Sequence, residues 1–210
     1  MDNLEQTTAK NLLQINAIIL NPANPFIWSS GWKSPIYCDN RKTLSYPTIR
    51  KFIKESFSQK IKSQYPQAEV IAGVATGAIA IGALTAEELG LPFVYVRSKA
   101  KGHGLQNMIE GSLEKGQKVV VIEDLISTGN SSLNAVHALR EAGADVLGMH
   151  AIFSYGFQIA RDNFKKADCP LQTLTNYETM IDIAVSEGYV KEEDIQSLNS
   201  WREDPANWKQ

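Results

Sequence analysis

Two adjacent carboxylates and the hydroxyl-rich loop that follows them are the residues of this sequence best suited to carry chemistry. Glu123 and Asp124 end an apolar run, and the residues after them include Ser127, Thr128, Gly129, Ser131 and Ser132. Carboxylates accept hydrogen bonds from hydroxyl groups, such as the vicinal hydroxyls of a ribose. A loop that opens a helix offers unpaired N–H groups and the positive end of the helix dipole to a phosphate. The pattern therefore predicts a site for a ribose 5-phosphate.

The apolar residues on either side of this loop predict the elements that position it. Residues 119–122 are an unbroken β-branched run, which is typical of a parallel strand covered on both faces. After the loop, apolar residues recur at helical spacing at Leu133, Val136, Ala138 and Leu139. The predicted order is strand, acidic pair, loop and helix. The alternative is that the two carboxylates only begin a polar loop whose hydroxyl groups cap the helix.

The string from Val119 to Gly129 also resembles a known motif. It reads Val-Val-Val-Ile-Glu-Asp-Leu-Ile-Ser-Thr-Gly and is similar to the segment that binds phosphoribosyl diphosphate (PRPP) in the type I phosphoribosyltransferases. The resemblance implies that Glu123 and Asp124 hold the ribose and that the loop holds the 5-phosphate. The loop residues implied to bind PRPP are Leu125, Ile126, Ser127, Thr128, Gly129, Asn130 and Ser131.

A second group of charged residues follows a strand predicted at residues 93–96. The segment contains Arg97, Lys99, Lys101 and His103 between small residues. Loops of this composition are commonly solvated connections. The same segment resembles the flexible loop Arg-x-x-x-Lys-x-His-Gly that closes over PRPP in the orotate phosphoribosyltransferases. That resemblance implies that Arg97, Lys101 and His103 bind PRPP and act in catalysis at its pyrophosphate. Ser98 stands where many relatives carry a second lysine.

Residues 26–41 are predicted to form a hairpin, in which a glycine turn joins a short strand to a second strand that opens with Pro35. The segment resembles the small N-terminal hood that covers the active site of the orotate phosphoribosyltransferases. Some relatives carry a lysine and an arginine, useful to a carboxylated pyrimidine, where this chain has Ser29 and the Tyr155-Gly156 region. The expected contacts of orotate are therefore Ser127, backbone groups and Lys33.

Alternating helix and strand patterns occupy the rest of the chain. An amphipathic helix is predicted over residues 4–20, where Asn-Pro pairs end it. A strand at residues 69–74 leads through Ala75-Thr76-Gly77 to a helix. The resemblance implies that this small-residue loop faces the pyrophosphate of PRPP, because the backbone can approach closely there. Residues 175–178 are predicted to form a capping box, and a helix at 192–201 precedes a polar tail.

The succession of strands and helices predicts an α/β fold. Its sheet should be mostly parallel and doubly wound, with the ligand at the carboxyl ends of the strands. The type I phosphoribosyltransferase resemblance implies the same core with a small N-terminal hood. We expect residues 1–45 to form the N-terminal helix and hood and residues 46–210 to form the core with the C-terminal helices, together one compact unit.

The composition excludes several functions. The net charge is −2 without a long basic cluster, so no nucleic-acid partner is expected. No run approaches the roughly 20 apolar residues of a membrane-spanning helix, and the N-terminus lacks a signal-peptide pattern. We therefore expect a cytoplasmic protein without a membrane partner. Cys38 and Cys169 form neither a CxxC nor a zinc-ligand pattern, so a structural disulfide is not expected.

The resemblance to orotate phosphoribosyltransferases covers nearly the whole chain and implies an activity. Orotate and PRPP would give orotidine 5′-monophosphate and pyrophosphate, the step that leads to UMP in pyrimidine biosynthesis. Mg²⁺ would bridge the pyrophosphate and ribose oxygens of PRPP, with no protein residue assigned as its ligand. A homodimer with shared active sites is also implied. The alternatives are a purine or xanthine phosphoribosyltransferase and a non-catalytic regulator that senses PRPP.

Overall fold

The computed structural model describes residues 3–28, 31–98 and 108–209. The strands are β1 (Ile18–Leu20), β2 (Phe26–Ile27), β3 (Lys33–Ser34), β4 (Ile36–Cys38), β5 (Val70–Val74), β6 (Phe93–Val96), β7 (Ile109–Glu110), β8 (Lys118–Ile126), β9 (Asp145–Ser154) and β10 (Leu171–Asn176). The helices are α1 (Leu4–Gln14), α2 (Pro47–Gln64), α3 (Ile79–Leu89), α4 (Asn130–Glu141), α5 (Gln158–Lys166), α6 (Tyr177–Ser186) and α7 (Ile195–Glu203). Short 3-10 helices occupy Asn40–Ser45 and Glu192–Asp194.

The central sheet has the strand order β10-β9-β8-β5-β6-β7. All neighbouring strands are parallel except β6 and β7, which are antiparallel. From β5 the chain passes to β6 on one side, whereas β8, β9 and β10 build outward on the other. The order therefore reverses between β5 and β8, and the crevice at the carboxyl ends of two such strands is where open α/β sheets bind ligands. The predicted mostly parallel, doubly wound fold is confirmed.

Helices cover both faces of this sheet, and strand β8 shows why. Its side chains alternate, so that Val120 and Ile122 pack in the cluster formed by α1, α2, α3, α6 and α7. Val119 and Val121 point the other way, into the cluster formed with α4 and α5. All four side chains are fully buried. A strand covered on both faces needs an unbroken apolar run, which is what the sequence carries.

The hood differs from the prediction in its first element. The helix expected over residues 4–20 ends at Gln14, and Ile18–Leu20 instead forms β1, which pairs with β4 in antiparallel register. Asn16 turns the chain with a left-handed φ of 53°, and the N–H of Ala17 donates to the carbonyl of Leu12. A hairpin is present as β2 paired with β3, but its second strand ends before Pro35 and does not open with it, and β4, the strand after Pro35, pairs with β1.

Two expectations near the C-terminus need correction. Asn176 caps α6 by accepting a hydrogen bond from the N–H of Thr179, while Thr175, expected to begin a capping box, is a buried residue of β10. The tail after α7 is not simply polar and solvated, because Trp208 is only 7% exposed and joins the core. Within the described residues, no helix is long and apolar enough to cross a bilayer.

His150 of β9 is a buried imidazole without a polar partner. Neither ring nitrogen has a hydrogen-bond partner, and the ring packs against Phe57 and Tyr65 with centroids 6.3 and 5.8 Å away. Burial, with a smaller contribution from the charge of Lys60, lowers the pKa of His150 from 6.5 to about 4. The folded protein therefore keeps this histidine neutral at pH values where the unfolded chain protonates it.

The unfolding free energy is expected to fall as the pH drops from 6.5 toward 4, because the unfolded state takes up the proton first. The full loss for this one group is about 3 kcal/mol. His150→Phe should flatten that part of the pH profile in urea titrations, whereas His137→Gln at an exposed position on α4 should leave the profile unchanged. A profile that His150→Phe does not alter would contradict the assignment.

Candidate active site

A cavity of about 300 Å³ opens between the carboxyl ends of β5 and β8, at the point where the strand order reverses. Its lining combines three segments: the loop after β5, the start of the β6–β7 connection, and the acidic pair with the loop before α4. Of the residues expected to bind PRPP, the lining includes Arg97, Glu123, Asp124, Leu125, Ser127, Thr128, Gly129 and Ser131. The sheet topology therefore brings together residues that are far apart in sequence.

The loop before α4 is held in one conformation by α5. Gly129 adopts a φ of +80°, and a Cβ at this position would lie 2.7 Å from the ring of Phe164. The side-chain amide of Asn163 donates to the carbonyl of Thr128 at 2.9 Å and to Oδ1 of Asn130 at 3.0 Å. The first N–H groups of α4 have no intrahelical acceptor and point toward the loop. Such an arrangement binds an anionic phosphate.

Asp124 lies against the loop after β5. A Cβ at Gly77 would lie 2.2 Å from Oδ2 of Asp124, so the glycine leaves the space that this carboxylate occupies. The backbone of Asp124 is fixed from the hood side, because the amide of Asn40 donates to its carbonyl at 2.6 Å. The Ala75–Thr76 peptide bond at the entrance of the same loop is cis. The backbone of Asp124 is therefore fixed, and its carboxylate is available on the cavity wall as a hydrogen-bond acceptor.

Glu123 is in a different environment from its neighbour. Its side chain is 5% exposed, Oε1 accepts from the N–H of Asp124 at 2.9 Å, and Oε2 accepts from the Ser132 hydroxyl at 2.8 Å. Burial, followed by the adjacent Asp124 charge, raises the pKa of Glu123 well above its usual range. The sequence resemblance implied the same role, binding of the ribose, for both carboxylates. In the structure Glu123 is buried, whereas Asp124 is only partly buried and lies against the loop after β5.

Arg97 marks the start of the predicted lid. Its guanidinium lies 3.4 Å from the carboxylate of Glu110 in β7, and the backbone N–H of Arg97 donates to the carbonyl of Met108. Arg97 and Ser98 line the cavity, so the connection between β6 and β7 leaves from the cavity rim. Lys101 and His103, and with them Lys99 and Gly104, lie outside the described residues.

Two of the predicted PRPP contacts point elsewhere. Ile126 is fully buried in the core under α4, and its carbonyl accepts from the N–H of Tyr155. The side chain of Asn130 faces Asn163 rather than the cavity. Any contact of these two residues with PRPP would therefore involve their backbone. Strand alternation and helix geometry decide which way each side chain points, which a motif alone does not show.

A second cavity, of about 540 Å³, lies under the hood and shares Leu125, Ser127 and Thr128 with the first. Its other lining residues are Ile27, Trp28, Trp32, Tyr37, Cys38 and Tyr155. The sequence prediction missed this aromatic wall, although four aromatic residues in and near the hairpin were the available signal. Lys33, expected as an orotate contact, instead donates from its ammonium to the carbonyl of Lys209 at 2.6 Å.

Comparison with known proteins fits this geometry. The family profile described as a phosphoribosyl transferase domain matches residues 42–187. An orotate phosphoribosyltransferase of Bacteroides thetaiotaomicron is 60% identical to this chain over 208 residues, which cover 99% of this chain and 98% of that protein. This chain belongs to the orotate phosphoribosyltransferase family. The family member of Bacteroides fragilis is 59% identical over 209 residues, covering 100% of this chain and 99% of that protein.

The fold of the family is also found in solved structures. The crystal structure of orotate phosphoribosyltransferase from Aeropyrum pernix superimposes with a TM-score of 0.75 at 27% identity. The match covers 87% of this chain and 99% of that one. The family fold thus extends over both the sheet and most of the elements around it.

The environments of Glu123 and Asp124 predict different outcomes for their substitution. Asp124→Ala should weaken PRPP binding by about 1.5–3 kcal/mol, the range for a lost charged hydrogen bond. Glu123→Gln keeps a hydrogen-bonding group of the same shape beside Ser132 and should change PRPP affinity by no more than about threefold, on the order of 0.7 kcal/mol. Glu123→Ala should instead lower stability by about 1–3 kcal/mol, because it leaves the buried Ser132 hydroxyl without its acceptor.

Calorimetric titration with PRPP and urea unfolding measure both effects. Equal losses of PRPP affinity in Glu123→Gln and Asp124→Ala would show that the two carboxylates are equivalent ribose ligands. That result would contradict the different roles expected for the buried Glu123 and for Asp124.

Proposed function

We propose that this protein transfers the ribose 5-phosphate of PRPP to orotate, giving orotidine 5′-monophosphate and pyrophosphate. The observation that carries the proposal is the pair of joined cavities, one polar and built around the phosphate-binding loop, the other aromatic and covered by the hood. A sugar phosphate and a flat pyrimidine fit the two compartments. Leu125, Ser127 and Thr128 form the shared wall, where the new bond would form. The relatives that match the full chain carry the same activity in their names.

PRPP would bind with its 5-phosphate at the N-terminus of α4 and its ribose hydroxyls at Asp124. This placement directs the pyrophosphate toward the Ala75–Gly77 loop and Arg97, which line the same cavity. The anomeric carbon then faces the shared wall and the hood cavity. A helix N-terminus favours the phosphate, and a carboxylate favours hydroxyl donors. Because the two ends of the sugar phosphate need different partners, PRPP would bind in one orientation.

The base would occupy the hood cavity between aromatic side chains. Trp28 and Tyr155 lie with their ring centroids 5.2 Å apart, and both contribute to the cavity wall. Among the described residues, no lysine or arginine lines this cavity, so the orotate carboxylate would rely on the Ser127 and Thr128 hydroxyls and on backbone N–H groups. Ser127, the residue predicted for orotate, borders both cavities and therefore meets sugar and base together.

In the reaction, a ring nitrogen of orotate bonds to the anomeric carbon while the carbon–oxygen bond to pyrophosphate breaks, and the proton of that nitrogen passes to water or to the departing pyrophosphate. Positive charge develops on the sugar and negative charge on the leaving group, as in other glycosyl transfers. The Asp124 carboxylate would stabilise the positive charge on the sugar. Arg97, Lys101 and His103 would stabilise the negative charge on the leaving pyrophosphate. A lid formed by the loop around Lys101 would also exclude water and limit hydrolysis of PRPP.

Mg²⁺ is the cofactor implied by the chemistry of PRPP. Among residues 3–28, 31–98 and 108–209, no cluster of three or more His, Cys, Asp or Glu side chains could enclose a metal ion. The ion would be held mainly by oxygens of the substrate, and Asp124, which lines the same cavity, is a carboxylate that could contribute. When bound, the ion would neutralise the charge of the departing pyrophosphate.

Assembly and location complete the proposal. The family profile begins at residue 42, close to the proposed boundary between the hood segment, residues 1–45, and the core, residues 46–210. The protein would act as a homodimer with shared active sites in the cytoplasm, without nucleic-acid or membrane partners. The two cysteines, Cys38 and Cys169, are unpaired, as suits a reducing compartment.

A panel of bases tests the function. Consumption of PRPP with Mg²⁺ should be rapid with orotate and at least about 100-fold slower, a difference of about 2.8 kcal/mol, with uracil, adenine, hypoxanthine or xanthine. Preference for a purine or xanthine would replace the proposal with the first alternative. Tight binding of PRPP without turnover of any base would favour the PRPP-sensing regulator.

A further inference from the structure

The chain after α7 packs against the hood, and we call residues 204–209 the C-terminal strap. Trp208 anchors it, because this side chain is 7% exposed and belongs to the apolar cluster that contains Ile36 of β4 and Trp201 of α7. A tryptophan buries more apolar surface than most side chains. The strap is therefore part of the packed structure.

Lys209 links the strap to the segment that precedes the hood hairpin and to the second strand of the hairpin. Its ammonium donates to the carbonyl of Pro22, just before β2, at 2.9 Å. Its carbonyl accepts from the ammonium of Lys33, in β3, at 2.6 Å. The Lys209 ammonium also lies 4.8 Å from the centre of the Trp208 ring, within the range of a cation–π interaction. Lys209 thus contacts both the segment that leads into the hairpin and the second strand of the hairpin.

The hairpin depends on such support because it is very short. Among its described residues, the ladder consists of two residue pairs, Phe26 with Ser34 and Ile27 with Lys33. Isolated two-stranded hairpins are marginal in water even when they are longer. The packing of Trp28 against Trp201, with centroids 5.5 Å apart, provides further support from the same end of the chain. Residues after β10 therefore help to set the position of the hairpin, together with Tyr155, whose ring centroid lies 5.2 Å from that of Trp28.

We propose that Trp208 and Lys209 are positioning residues for the base. They hold the hairpin where Trp28 and Trp32 complete the wall of the hood cavity. The inference rests on the proposed function, since it takes that cavity to be the orotate site. The first cavity, which is built around the loop before α4, has no hairpin residue in its described lining. Loss of the strap should therefore weaken base binding and spare PRPP binding.

The experiment compares Trp208→Ala and Lys33→Met with two controls. Trp208→Phe keeps an aromatic anchor, and Lys54→Met removes an ammonium that pairs with Glu88 at 2.7 Å between α2 and α3. We expect the KM for orotate to rise about tenfold in Trp208→Ala and about threefold in Lys33→Met, changes of about 1.4 and 0.7 kcal/mol. Both controls should stay within twofold of the unaltered protein, as should the Kd for PRPP in all four variants.

Hydrogen exchange of the hood gives a readout that needs no turnover. In Trp208→Ala and Lys33→Met, amides of residues 18–38 should exchange faster while amides of β8 keep their protection. If Lys33 contacts orotate directly, its variant would raise the KM with unchanged exchange in the hood. That result overturns the positioning role of the strap.

Other results would also overturn the inference. One is an orotate KM within twofold of normal in folded Trp208→Ala protein, and another is a loss of PRPP affinity parallel to the loss of orotate affinity. If Trp208→Ala does not fold, Lys33→Met decides, because it removes a single hydrogen bond at the surface. Failure of the proposed function is recognised separately, since the unaltered protein would then not consume PRPP with orotate.

Discussion

Gly77→Ala is expected to lower PRPP affinity and kcat/KM roughly 10- to 100-fold, or about 1.4–2.8 kcal/mol, while the protein stays folded. The added methyl group would lie 2.2 Å from Oδ2 and 2.3 Å from Cγ of Asp124. A side-chain end can rotate away at little cost in stability, but the backbone of Asp124 is held by Asn40 and by the sheet. The carboxylate would therefore leave the position in which we propose that it binds the ribose.

A double-mutant cycle separates this effect from general damage to the loop. In an Asp124→Ala background the clash is gone, so Gly77→Ala should add little further loss. Gly90→Ala is the control: its added methyl group would meet nothing within 4 Å, and the strain of the left-handed φ of 68° at the end of α3 should lower stability without lowering PRPP affinity. Calorimetric titration with PRPP and steady-state kinetics provide the measurements. Fully additive losses would show that Gly77 acts independently of Asp124.

Mixing two inactive variants is expected to restore activity if the lid of each subunit serves its partner's site. Lys101→Ala removes a lid cation, and Asp124→Ala removes a ribose acceptor from the subunit's own cavity. A mixed dimer would then contain one site with both lesions and one intact site. Random exchange at equal concentrations makes about half of all dimers mixed, so recovery should approach roughly a quarter of normal activity.

The control mixture pairs Asp124→Ala with Gly77→Ala. Both lesions lie in the same subunit's cavity, so a mixed dimer of these two variants has no intact site and should remain inactive. Native mass spectrometry establishes that mixed dimers form in each sample. The shared-site hypothesis fails if mixed dimers of Lys101→Ala and Asp124→Ala are present and no activity returns.

The sequence by itself determined the features that depend on contiguous residues. The apolar run of β8, the acidic pair and the loop before α4 are a local unit, and a strand covered on both faces leaves an unmistakable run of β-branched residues. The strand before Ala75-Thr76-Gly77 and the helix after it, observed as β5 and α3, are equally local. The doubly wound fold followed from the order of such units and was confirmed.

A local pattern does not predict the secondary structure where the same pattern fits both a helix and a strand. Ile18 and Ile19 continue the apolar spacing of α1, yet they form β1, because pairing with Tyr37 and Cys38 in β4 satisfies their backbone groups. The partner strand lies beyond the hairpin, so no window around Ile18 contains the residues that decide its conformation. Tertiary pairing overrides helical periodicity at such a position.

The tertiary structure alone decided the roles within the site. Glu123 and Asp124 are neighbours of the same charge, but strand alternation buries one beneath Ser132 and places the other against Gly77, which comes from a different strand connection. The aromatic wall under the hood and the anchoring of Lys33 by Lys209 likewise join segments distant in sequence. Burial and hydrogen bonding depend on these long-range contacts, and residue type and spacing do not encode them locally.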